Sequence, residues 1–260
     1  MYVTAALAWW NERPEDLVSC IEGIANVADR VVALDGSYAR YPEATVSSCR
    51  DEYAAIVDTA TRLGLDHMVL RPSRLWRGQV EKRNVLYAIA SVGSDFMVVV
   101  DADHIIHADR SEVRTFLETT NADVINVPFE TPVNPVRSLS DSAVGVWHEG
   151  MAGSTIMLPH IYRALPNIRV ESRHWCISAL KDGQRVWLWN CGSGYPDAIH
   201  TVIPIPYRVE HRALFRTAEQ IRMSRGFLND REMVASVTGQ EDDRDDLPRP
   251  VFTYEQNRTR

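Results

Sequence analysis

Only four cysteines occur in the 260 residues, Cys20, Cys49, Cys176 and Cys191, and no two stand at close metal-ligand spacing. This excludes a disulfide framework and a cysteine-built zinc site, leaving the thiols as small reduced core residues. Long apolar runs are missing too. Spanning a bilayer takes about 20 apolar residues, and the run from Val3 to Trp10 is far shorter. No basic segment or cleavage site surrounds that run, so a cytoplasmic protein without membrane insertion is expected. Positive charge is also scarce, with 28 Lys and Arg against 35 Asp and Glu, a net charge of −7. General nucleic-acid binding works by neutralising phosphates and is therefore not expected. The chain has no internal repeat and no linker that demands a second folding unit. A single domain over 1–239 is expected, followed by a charged, solvated tail over 240–260 that carries Glu241 to Asp246 and then prolines.

What is present suits a soluble globular core, with 45% hydrophobic and 24% charged residues. Strand-like and helix-like patterns alternate through the first half. Val3 to Trp9 reads as a buried strand, and Pro14, Glu15 and Asp16 open a helix whose Leu17, Ile21 and Ile24 recur at helical spacing. Asp29 to Asp35 is a second strand stopped by Gly36-Ser37, and a helix is expected over Thr45 to Leu63. His67 to Leu70 is a third strand, Gly78 to Ala90 a helix, and Phe96 to Asp101 a fully apolar strand running into acids. Continuous apolar strands with helical crossovers indicate an α/β fold, a mostly parallel central sheet with helices on both faces. The second half, 111–239, reads as a less regular α+β part. It has a strand over Ala122 to Phe129, a loop over Thr131 to Arg137 and a strand pair or loop over Gly145 to Pro159. A short strand over Val186 to Trp189 and a basic helix over Arg208 to Arg225 follow.

Ligands of such sheets bind beyond the carboxyl ends of the strands. Three of those ends carry polar groups here: Asn11-Glu12, Asp35 and Asp101 with Asp103. In extended backbone, residues two apart point the same way, so Asp101 and Asp103 can address one site. Carboxylates leaving a buried strand are costly unless solvated or bound to a cation, and their hard oxygens suit Mg²⁺ or Mn²⁺. The segment Arg62 to Asn84 adds Arg62, Arg71, Arg74, Arg77, Lys82 and Arg83 against only Asp66 and Glu81. A positive patch in an acidic protein suits a small anionic ligand.

Taken in order, Asn11-Glu12, Asp35-Gly36-Ser37, Gly78-Gln-Val-Glu-Lys-Arg83-Asn84 and Asp101-Ala102-Asp103 resemble the GT-A fold glycosyltransferases, and most closely their large family-two group. The resemblance covers about the first 110 residues. It implies a Rossmann-like GT-A domain whose nucleotide-binding half is 1–110 and whose acceptor-side half is 111–239. The donor implied is a nucleotide-diphosphate sugar, with uridine favoured, and the metal Mn²⁺ or Mg²⁺. Asn11 and Glu12 belong to the nucleotide-sugar site by that resemblance. Asp35 contacts the nucleoside, and Lys82, Arg83 and Asn84 lie near the nucleotide and its phosphates. Asp101 holds ribose or metal, Asp103 is the principal metal ligand, and His211 completes the metal shell. His174 faces the acceptor, with Trp147 and Trp175 as an aromatic platform.

A general base is the part the resemblance does not supply. The comparable stretch, Arg169 to Cys176, lacks an acid directly after His174, so Glu171, Glu149 and Asp197 are the candidates. The acceptor implied is a hydroxyl on a glycan, small molecule, protein or modified nucleobase. Two other readings compete. A sugar-phosphate nucleotidylyltransferase opens with a glycine-rich phosphate loop, whereas Trp9 to Glu12 contains no glycine. A nucleotide-sugar-binding module without catalysis is favoured by the missing acid and disfavoured by the intact Asp101 and Asp103.

Overall fold

The computed structural model describes residues 1–39, 41, 43–130, 132, 155–171, 176–189 and 198–212, and the backbone of 252–255. The first half is built as the pattern predicts: β1 (Val3–Ala8), α1 (Pro14–Ala25), β2 (Arg30–Leu34), α2 (Arg50–Arg62), β3 (Asp66–Pro72), α3 (Gln79–Ala90) and β4 (Phe96–Asp101). Strands β3, β2, β1 and β4 lie side by side in that order and pair in parallel. The register sets Ala8 opposite both Leu34 and Asp101, so the carboxyl ends of β1, β2 and β4 are level.

Burial on both faces follows from the two-residue alternation of the strands. Val3, Ala5 and Leu7 of β1 enter one core with Leu17, Ile21 and Ile24 of α1 and Ile56 and Ala60 of α2. Ala6 enters the other, with Leu86, Tyr87 and Ala90 of α3. This is the expected α/β arrangement, consistent with a Rossmann-like GT-A fold. Helix α1 begins at Pro14 with Glu15 and Asp16 in its first turn, where the missing N–H of proline and the acids both suit the helix start. Helix α2 begins at Arg50 rather than Thr45, because the Glu52 carboxylate accepts the Cys49 N–H and fixes the start there.

Beyond β4 the chain turns into β5 (His104–Ala108) and α4 (Arg110–Thr119), in a stretch the pattern reading above leaves unassigned. Asp109 caps α4, its carboxylate accepting the Ser111 and Glu112 N–H groups. The second half adds β6 (Val124–Glu130), β7 (Thr155–Arg163), β8 (Arg169–Val170), β9 (Ile177–Lys181), β10 (Gln184–Trp189), β11 (His200–Val202) and β12 (Tyr207–His211). Strands β7, β6, β12 and β5 extend the sheet beyond β4, whereas β8, β9 and β10 form a separate antiparallel sheet. Thr155 to Pro159 belongs to β7; residues 145–154 of the expected strand pair lie outside the described residues.

Two expectations change. The basic helix expected from Arg208 begins instead as a strand: in β12, Tyr207 and Val209 are buried and Arg208 is exposed, a period of two that the density of charge conceals. Residues 213–225 lie outside the described set. Within the segment read as a tail, Phe252–Glu255 forms β13, which pairs antiparallel with β3. Its Phe-Thr-Tyr core has the β-branched and aromatic residues that favour strands. Among the described residues, no helix is long and apolar enough to cross a membrane.

Candidate metal and nucleotide site

Strand β4 pairs with β7 only as far as Val98, opposite Ile161, and Val99 to Asp101 have no pairing with it. The chain reverses there through Ala102 and Asp103 and returns as β5. Strand β12 lies antiparallel to β5 with His211 opposite His104. A further bond, from Arg212 N–H to the Asp103 carbonyl at 2.7 Å, ties the end of β12 to the reversal. Sheet register thus carries a residue from more than 100 positions downstream to Asp103. Asp103 Oδ2 stands 3.5 Å from His211 Nε2, and Asp103 Oδ1 stands 3.9 Å from His104 Nε2. Asp103, His104 and His211 form a cluster that can hold a metal ion. Burial pushes the His104 imidazole down to about 4, against the pull of the Asp103 charge.

Asp101 faces elsewhere. Both of its oxygens accept from the Arg83 guanidinium, at 2.8 and 2.9 Å. Burial works to raise the Asp101 pKa, but the Arg83 charge outweighs it and holds the carboxyl below its usual range. Burial likewise opposes the charge on Arg83, and Asp101 leads the interactions that keep it protonated. The pair ties α3 to the end of β4, two residues before Asp103.

Asp35 is fully enclosed. Its Oδ1 accepts the Gly36 N–H at 2.6 Å and the Ser48 hydroxyl at 2.7 Å, and its Oδ2 accepts the Ser48 N–H at 2.8 Å. Arg71 Nε lies 3.7 Å from the same oxygen, while its terminal nitrogen donates to Ser47 Oγ and the Ser48 carbonyl. The carboxylate therefore anchors the loop from Gly36 to Ser48, and burial raises its pKa against those bonds. Lys82 lies beneath the same loop, with Nζ donating to the Trp9 carbonyl at 2.8 Å and the Gly36 carbonyl at 2.7 Å. Burial pulls its pKa down to about 7, more strongly than Asp35 raises it. Asn84 joins α3 to β8: its amide donates to the Val170 carbonyl and accepts the Val170 N–H.

Asn11, three residues past the end of β1, takes a positive φ of 52°, with its N–H on Ser48 Oγ, and the Glu12 N–H is held by Glu52. Close by, Trp10 and Tyr41 approach to 5.3 Å between ring centroids, and Tyr38 stacks edge-on to Tyr41. Motif reasoning passes over His104 and this aromatic group and takes Arg71 only as one charge of a positive run, because the contacts of each depend on a fold-back that spacing does not encode. His104 alone has a local signal, as the residue next to the second acid.

Of the base candidates, Glu171 is bound to Arg169 Nε at 2.9 Å and to the Ser178 hydroxyl, with Arg185 at 3.9 Å. Burial raises its pKa, but Arg169 and Ser178 prevail and lower it. A carboxylate so held is a weak proton acceptor. Glu149, Asp197, Trp147, His174 and Trp175 lie outside the described residues. A cleft of about 700 Å³ lined by Asn121, Asp123, Arg163 and Lys181 lies near the start of β4, at the opposite end of the sheet from Asp101. Its Lys181 and Asp123 pair with each other at 2.6 Å.

No protein-family model matches this chain, and comparison with curated proteins returns no match. Solved structures that resemble it include S. aureus TarS, 17% identical, with a TM-score of 0.40 over 63% of this chain and 28% of that one. S. aureus TarS 1–349 is 18% identical, with a TM-score of 0.39 over 63% of this chain and 47% of that one. The chain thus spans less than half the length of either, and function does not transfer on a likeness of this extent.

Proposed function

We infer that this protein is a metal-dependent glycosyltransferase that moves a sugar from a nucleotide-diphosphate donor, with uridine favoured, to a hydroxyl acceptor. The observation that carries the reading is the 3.5 Å approach of Asp103 and His211 at the carboxyl end of the parallel strands. One ion reaches both atoms, because two metal–ligand bonds of about 2.0–2.2 Å each span that separation. Asp103 and His211 would hold the metal, Mn²⁺ or Mg²⁺, and the ion would stabilise negative charge on the diphosphate leaving group. The donor set of one carboxylate and one neutral imidazole leaves coordination positions for phosphate oxygens.

The protein's own residues prepare that site. Arg83 and Asp101 brace the reversal that presents Asp103. Lys82 and Asp35 fix the loops after β1 and β2, where the nucleoside end of the donor would lie among Asn11, Glu12, Asp35 and the aromatic rings of Trp10 and Tyr41. Asn84 couples this half to β8, and through it to the acceptor side. The acceptor would be a glycan, protein, small molecule or modified nucleobase.

A second reading, a donor-binding module without transfer, is favoured by the ion pairing of Glu171, the described candidate base. Incubation with nucleotide sugars and Mn²⁺ separates the two. A transferase releases nucleotide diphosphate by slow donor hydrolysis, and the release stops with chelator. Tight donor binding with no release under any condition would leave only the binding module.

A further inference from the structure

The cluster of Asp103, His104 and His211 invites the reading that all three are ligands. The hydrogen bonding around His104 argues otherwise. Because β7 stops pairing at Val98, the half-buried Asp101 N–H has no strand partner on that side and needs another acceptor. His104 supplies it: the Asp101 N–H donates to His104 Nδ1 at 3.2 Å. An Nδ1 that accepts a backbone N–H carries no proton, so the proton of this ring is on Nε2. Nε2 then has no lone pair in the ring plane to offer a metal. It faces Asp103 Oδ1 at 3.9 Å as an N–H, while Oδ2 faces His211. The ring has little freedom to exchange these roles. It is buried, and meets Phe129 edge-on at 5.2 Å and His211 at 5.3 Å.

We propose that His104 is a positioning residue that closes the Asp101–Asp103 turn through Nδ1 and orients the Asp103 carboxylate with its Nε2–H, leaving Asp103 and His211 as the protein's ligands. This rests on the metal reading given above. The imidazole does two separable things. Its acceptor nitrogen satisfies the backbone of β4 and supports the fold. Its donor nitrogen biases one carboxylate oxygen, so that the other is directed at the ion. Supporting groups of this kind fix ligand geometry in metal sites.

The test is long-range ¹H–¹⁵N NMR on the full chain with ¹⁵N-labelled histidine, before and after adding Zn²⁺ alone as a diamagnetic probe. His104→Gln and His211→Gln spectra assign the signals. The result expected is that His104 keeps a protonated Nε2 in both states while the His211 ring nitrogen takes a metal-bound shift. A His104 Nε2 that loses its proton and shifts with the metal would make it a third ligand and overturn the proposal. No shift at His211 would remove the metal reading itself, and this inference with it.

Two substitutions separate the roles independently. Asparagine retains an acceptor near the Nδ1 position, and glutamine retains an N–H donor near the Nε2 position. His104→Asn is expected to keep the melting temperature and to lose roughly tenfold or more in Mn²⁺ affinity, the range seen when an outer partner of a ligand is removed. His104→Gln is expected to show the reverse, a lower melting temperature with Mn²⁺ affinity kept within about threefold. Equal losses of affinity in both variants would overturn the assignment.

Discussion

Asp101→Asn tests the division of labour between the two acids. The substitution keeps the shape of the side chain and removes its charge, leaving the Arg83 guanidinium with a neutral partner. Arg83 is nearly buried, at 7% exposure of its side chain, whereas the Asp101 side chain is 36% exposed. Removing one partner of a buried ion pair costs roughly 3–5 kcal/mol. Because water reaches Asp101 and screens part of the pair, the lower end, about 3 kcal/mol, is expected here. For a chain of this size each kcal/mol lowers the melting temperature by about 2–4 °C, so a fall of roughly 6–12 °C should follow. Differential scanning calorimetry of Asp101→Asn, Arg83→Met and the double variant completes the cycle. The double variant, which has no stranded charge, should be more stable than the sum of the single losses predicts, by about 2 kcal/mol. Losses that add, or an Asp101→Asn effect below about 1 kcal/mol, would refute the claim that Asp101 serves Arg83. The acid side of the stability profile gives a second check. A carboxylate with a depressed pKa contributes stability that is present above its unfolded value and lost as pH falls through the folded one. The native protein should therefore lose stability below about pH 4 more steeply than Asp101→Asn does.

Lys82 predicts the opposite end of the profile. Its folded pKa of about 7 lies below the unfolded value, so the unfolded chain binds more protons between the two and stability rises with pH across that window. The slope from this group reaches at most about 1.4 kcal/mol per pH unit. Urea unfolding of Lys82→Met between about pH 7 and pH 10 should show that slope removed; an unchanged slope would count against the lowered pKa of Lys82. At Gly36, φ is +102° and an added Cβ would stand 2.7 Å from Pro72 Cγ and 2.8 Å from the Val46 carbonyl. Gly36→Ala should cost at least about 2 kcal/mol from strain and crowding together. Gly183, at φ +78° with open space around it, should cost only about 1 kcal/mol on the same change, and equal losses in thermal unfolding would refute the crowding argument.

The parallel core was legible because its strands are apolar on both faces and its helices begin with local signals such as Pro14. Asp101 and Asp103 stood out for the same local reason, as acids at the end of a buried strand. What they do apart from each other was not legible: spacing of two suggests one shared site, whereas Arg83, reached only through the packing of α3 on the sheet, claims Asp101. The resemblance sets Lys82 and Arg83 near the nucleotide and its phosphates, and their hydrogen bonds to the Trp9 and Gly36 carbonyls and to Asp101 were not legible, because burial is a property of the helix face and not of the charge. His211 met Asp103 through the β5–β12 register, which no local pattern states. The strand that carries it hid behind Arg208, Glu210 and Arg212, whose charges mimic a basic helix.

The central claim is tested most directly by thermal shift of the native protein and of Asp103→Ala with nucleotide diphosphates and their sugars, each with and without Mn²⁺. A ligand at about 100 times its dissociation constant adds roughly 2.7 kcal/mol of stability. The account predicts stabilisation by uridine diphosphate or its sugar that requires Mn²⁺ and vanishes in Asp103→Ala, with the variant's own unfolding still cooperative. Stabilisation by no nucleotide, or metal-dependent stabilisation that survives in Asp103→Ala, would contradict it.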